Sequence, residues 1–145
     1  EQADQDFGAF VGRLVAIRAA HPVLRQRRFL HGKDLNVDGL SDVIWRRADG
    51  ERPHPVDWHD PSFRCLCVEL RMAVEGDAEA QDAIFAVFNG GGAIRLALPH
   101  TARKWELILD TTRPDLTLAV PPAEAPAQSV LLFRAVSSRK KGGQP

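Results

Sequence analysis

Neither sign of charge prevails in this sequence: Lys plus Arg and Asp plus Glu both total 19, and the formal net charge is zero. Binding to phosphates without regard to sequence needs a basic excess, so the balance speaks against nucleic acid or an anionic membrane as partner. Only Arg139-Lys140-Lys141 is a basic run. It stands among Ser, Gly and Pro, so residues 137–145 read as a disordered, solvated tail. No apolar stretch approaches the ~20 residues of a membrane helix, and no signal-peptide core is present. Cysteine is scarce. Cys65 and Cys67 are two apart, which on a strand puts them on one face and too close along the chain for an unstrained disulfide. Buried free thiols are the expectation, and they suit a reducing cytoplasm. A metal site on Cys-x-Cys would need partner ligands, and none stand nearby at zinc spacing. The chain opens Glu1-Gln2-Ala3 without Met, the start expected of a piece of something longer.

What is present is ordinary globular composition, 44% hydrophobic and 26% charged over 145 residues, enough for one domain and one core. Phe7, Phe10, Val11, Leu14 and Ile17 recur at three- and four-residue steps, which predicts an amphipathic helix over 3–20. Gln5, Arg13 and Arg18 fall on its other face. Asp4 or Asp6 suits the first turn, and His21-Pro22 ends the helix because the residue before proline leaves the helical region. An apolar stripe of this kind must be covered: by the sheet, by a second copy, or by another part of a longer chain.

After residue 40 short β runs alternate with turn residues. Strands are expected at 42–47, 63–72, 84–88, 94–98, 105–110 and 130–136, with a weaker one at 116–120. Asp49-Gly50 marks a tight turn, 51–62 a proline-rich ordered loop, 75–82 a polar hairpin loop, and 89–92 a glycine turn. In the 63–72 run both faces read as apolar, with Leu66, Val68, Leu70 and Met72 on one and Phe63, Cys65 and Cys67 on the other. That implies a strand covered on both sides. Seven or so strands at this spacing give a mainly β fold: an antiparallel β-sandwich preceded by one N-terminal helix.

Three groups of residues are candidates for chemistry. Asp34, Asn36, Asp38 and Asp42 place oxygens at alternate positions around Gly39, a pattern that folds around Ca²⁺ or simply builds a polar turn. Position twelve, where an EF-hand needs Glu, holds Trp45. Asp57, Asp60, Glu69 and Asp110 offer carboxylates, but their spacing singles out no pair of the kind glycoside hydrolysis requires, and Glu106 and Asp110 read as exposed strand positions. The histidines are scattered, and no serine sits in a nucleophile elbow. Trp58, in a loop between acids, and Trp45 are candidates for stacking on a ligand, whereas Trp105 reads as core.

Taken in order, several segments resemble the C-terminal end of bacterial isoamylase-type glycogen debranching enzymes of glycoside hydrolase family 13. They are residues 10–24 (FVGRLVAIRAAHPVL), 28–34 (RFLHGKD), Asp42-Val43-Ile44-Trp45, Asp49-Gly50, Asp57-Trp58, Phe88-Asn89, Leu98-Pro99, Trp105, Leu109-Asp110-Thr111 and Val130-Leu131-Leu132-Phe133-Arg134. The resemblance implies an α-amylase C-terminal-domain-like sandwich at 25–136, preceded at 1–24 by the helix that ends a catalytic barrel. It implies a parent that hydrolyses α-1,6 branch linkages of glycogen, with its catalytic acids upstream in a (β/α)₈ barrel. None of those motifs occurs here, so no catalytic residue carries over. The implied role is a non-catalytic accessory domain without a cofactor of its own, partnered by that barrel, and cytoplasmic. Other readings stay open: a glycan-binding module using Trp58 and Trp45, an independent small enzyme, and a homodimer through the N-terminal helix.

Overall fold

The computed structural model of the chain describes residues 2–27, 29–32, 41–74, 77–100, 103–115 and 120–136. The predicted helix is there as α1, Gln2–Ala20. It stops where proline requires: His21 is extended (φ −114°, ψ 99°) and Pro22 opens a short 3-10 turn, Pro22–Arg25. Seven strands follow among the described residues: β1 Val43–Arg46, β2 Cys65–Val74, β3 Asp77–Asn89, β4 Ile94–Arg95, β5 Lys104–Asp110, β6 Glu124–Ala125 and β7 Ser129–Val136.

Five strands form one antiparallel sheet in the order β1-β2-β3-β7-β5, and β4 pairs β6 in a small second sheet. The two sheets close over a core from Cys67, Phe85, Val87, Trp105, Leu107, Leu131 and Phe133 of the large sheet and Leu96 and Ala125 of the small one. Each fully buried side chain of that size contributes about 1.5–3 kcal/mol, so this layer holds most of the fold's stability. Phe85 anchors it, with Trp105 and Phe133 at ring-centroid distances of 5.9 and 6.1 Å. Trp105 is buried, as its place on an alternating strand implies, and its indole N–H donates to the Pro99 carbonyl at 3.0 Å. Cys65 and Cys67 are buried free thiols. The mainly β, antiparallel architecture with a leading helix agrees with a β-sandwich.

The other face of the large sheet carries a second cluster, Val23, Ile84 and Ile108, against which Ile17, Leu24, Leu70, Met72 and Leu132 pack. Here the helix end is tied down. The Asp82 carboxylate bonds the His21 ring at 2.8 Å and accepts the Val23 N–H at 3.0 Å. Arg13 departs from its expected place on the solvent face: it turns inward and donates to the carbonyls of Ile108, at 2.9 Å, and Pro114. The apolar stripe is therefore only half used. No residue of α1 is fully buried, and Phe7 and Val11 of the stripe remain 67% and 39% exposed.

Several expectations need correction. The polar hairpin loop expected at 75–82 is mostly strand, because β3 already begins at Asp77 and pairs back with β2. Cross-strand hydrogen bonding overrides the low β propensity of this acidic segment. The strand expected at 94–98 shrinks to Ile94–Arg95. Asp110 is fully buried rather than exposed, since β5 slips register between Leu107 and Leu109 and so also brings Ile108 to the second cluster. The Cys65/Cys67 face is not apolar throughout. Glu69 and Arg71, further along it, are buried and charged. The 116–120 strand falls largely outside the described residues, and Val120 is exposed.

Candidate functional site

Trp45 and Trp58 come from different elements and meet. Trp45 is the outward residue of β1, opposite Val68 of β2. Trp58 lies in a 3-10 turn, Asp57–His59, which the Asp57 carboxylate stabilises by accepting the His54 N–H at 2.7 Å and pairing with Arg47 at 3.4 Å. The indoles meet edge to face with centroids 6.1 Å apart, and Phe63 continues the row at 6.3 Å from Trp58. Trp45 is 45% and Trp58 51% exposed, so two aromatic faces remain open at the surface. Phe63 is the member that sequence reading placed on a strand face and gave no surface role. Its signal was its spacing, five residues beyond Trp58 across the Asp60–Ser62 turn.

Register extends the patch. Trp45, Val68 and Ala86 stand in one cross-strand row and Leu66, Phe88 and Val130 in the next, all on the face that α1 covers in part. Phe88 is exposed.

Asp42 is fully buried, and its two carboxylate oxygens accept the backbone N–H groups of Gly32, at 2.9 Å, and His31, at 3.3 Å. This carboxylate thus anchors the segment ahead of β1, with Gly32 at φ +66°. Asp34, Asn36 and Asp38, the other members of the candidate Ca²⁺ loop, lie outside the described residues.

The remaining acids each serve nearby chain. Asp60 accepts the Ser62 N–H and hydroxyl at 2.8 and 2.7 Å, and these bonds hold its carboxyl below the ordinary aspartate range. Burial pushes the Asp110 carboxyl up, but hydrogen bonds from the Thr112 hydroxyl and amide and from Arg113 outweigh it and leave it lowered. Glu69 is clasped by Arg46, at 3.0 Å, and by Arg71.

A recess of about 230 Å³ opens beside the aromatic row. Arg47, Ala48, Asp49, Ser62, Phe63, Arg64, Cys65, Ile94 and Arg95 line it. A hydrogen bond from Cys67 lowers the Cys65 pKa, while that pairing and burial push the Cys67 thiol up.

No family model matches the chain. Over 111 residues, 74% of its length, it is 28% identical to a Flavobacterium sp. protein named isoamylase. The matched stretch is 14% of that protein, so the chain spans a small part of the relative's length. The resemblance to isoamylase-type enzymes carried by the sequence is borne out by this match, and the small β-rich architecture agrees with the C-terminal domain it implies.

Proposed function

We propose that this chain is a non-catalytic C-terminal accessory domain of an isoamylase-type debranching enzyme whose parent hydrolyses α-1,6 branch linkages in glycogen. The match to a much longer isoamylase carries the reading. The local geometry supports it, since among the described residues Asp57, Asp60, Glu69 and Asp110 are each held by nearby chain and none pairs with another acid. The domain's work is to cap and stabilise a (β/α)₈ barrel in the same chain and to shape access to it. The open edge of α1, at Phe7, Val11 and Val15, suits packing on that barrel. No helix among the described residues is long and apolar enough to cross a membrane. With two reduced, buried thiols, we place the parent in the cytoplasm. The isolated chain, incubated with branched glucan, is expected to release no reducing ends; measurable turnover sinks the non-catalytic reading.

One observation favours a second reading, that the domain touches glycan itself: Trp45 and Trp58 meet at the surface with exposed faces. Titration with maltooligosaccharides decides it. Heat at millimolar ligand that disappears in Trp58→Ala supports sugar contact, and no heat removes it.

A further inference from the structure

We propose that the recess between the Asp60–Arg64 turn and β4 binds a phosphate monoester. Three arginines, Arg47, Arg64 and Arg95, and one acid, Asp49, line this single recess in a chain whose net charge is zero. Arg47 is already held, by Asp49 at 3.2 Å and Asp57 at 3.4 Å. Arg64 and Arg95 are exposed and make no ion pair among the described residues. The excess of positive charge at the recess is therefore theirs. A guanidinium presents parallel N–H donors that match phosphate oxygens two at a time, which favours phosphate over a single-point anion.

The glycine turn after β3 sets Arg64 in place. The Arg64 carbonyl accepts the Gly90 N–H at 2.7 Å. Its stem lies over Gly91, where an added Cβ would come within 3.3 Å of the Arg64 Cβ and 3.8 Å of its Cδ. Residues 89–92, a plain turn by sequence, thereby hold one wall of the recess. Phe63 and Ile94 add apolar surface to the lining, which suits a sugar ring next to an anion. Phe63 is also the third ring of the Trp45–Trp58 row, so a phosphate carried on a glucan resting there falls within reach of the recess. That glucan-borne source rests on the sugar-contact reading above; the anion site does not. The other source is a free sugar phosphate.

Calorimetric titration of the chain with inorganic phosphate, glucose 6-phosphate, a neutral maltooligosaccharide and a phosphorylated maltooligosaccharide tests the proposal. Phosphate and glucose 6-phosphate are expected to bind, and to weaken as salt rises from ~50 to ~200 mM. R64Q and R95Q each weaken binding, and the double variant weakens it by about tenfold or more. Both positions are exposed, so circular dichroism is expected to show the double variant folded. Phosphorylated oligosaccharide binding tighter than glucose 6-phosphate assigns the glucan-borne source, and equal affinities assign the free sugar phosphate. Absence of phosphate binding at millimolar concentration, or binding unchanged in the double variant, overturns the site. Neutral oligosaccharide, with and without Trp58→Ala, reports separately on sugar contact.

Discussion

At the scale of single residues, the least expected feature is charge inside the sheet. Glu69 is fully buried on the same face as Cys65 and Cys67, with Arg46 from β1 and Arg71 from its own strand around it. Withdrawing the carboxylate from two guanidinium groups in this position is costly, because burial leaves them little water to turn to. Glu69→Ala is expected to lower unfolding stability by about 3–5 kcal/mol in urea titration, whereas Arg134→Ala, which loses an exposed pair with Glu106, costs under about 1 kcal/mol. Similar losses for the two would show that the network is not structural. Asp110 gives a pH dependence with a definite sign. Its carboxyl is lower in the folded state than in the unfolded chain, so its stabilisation is present at neutral pH and is lost as pH falls through the folded value, below about 4. Asp110→Asn is expected to be less stable at pH 7 and to show a flatter decline in melting temperature below pH 4; a parallel decline contradicts this assignment. The sequence made Trp105 and the thiols legible because alternation on one strand decides their burial. It left Glu69 illegible because its partner Arg46 is set by register between β1 and β2, and no local pattern encodes that pairing.

At the scale of elements, α1 was the clearest feature of the sequence, and its ends fall within a residue of the expected positions. Periodicity defines a helix and its apolar arc but not which part of the arc meets which neighbour. Ile17 meets the sheet, Phe7 and Val15 do not, and Arg13 takes a place among the inward residues by capping two carbonyls. The strands that sequence misjudged are those decided by pairing: the acidic start of β3 and the short β4. A helix with no fully buried residue opens more readily than a strand paired on both sides. Amide exchange in the isolated chain is therefore expected to be much faster across Gln2–Ala20 than across Ile84–Val87. Asp82→Ala, which removes the tie to His21 and Val23, speeds α1 further without changing Ile84–Val87. Equal protection of α1 and β3 would show that the helix is an integral part of the sandwich core.

At the scale of the whole molecule, one face of the large sheet packs its core against the β4–β6 side, and the other is covered only in part by α1. The open apolar surfaces, Phe7, Val11 and Val15 on the helix and Trp45 and Phe88 on the sheet, lie on that second side. Surfaces of this kind are costly in water unless something covers them or they bind a ligand. A second copy covering them predicts a dimer in solution by sedimentation; a barrel in the same longer chain predicts a monomeric fragment that is sticky at high concentration. The barrel is the cover proposed above, and the DNA upstream of the Glu1 codon separates the two. Sequencing is expected to find several hundred in-frame codons for a (β/α)₈ barrel with two catalytic aspartates and a glutamate. A stop codon and a start site just ahead of Glu1 would contradict it.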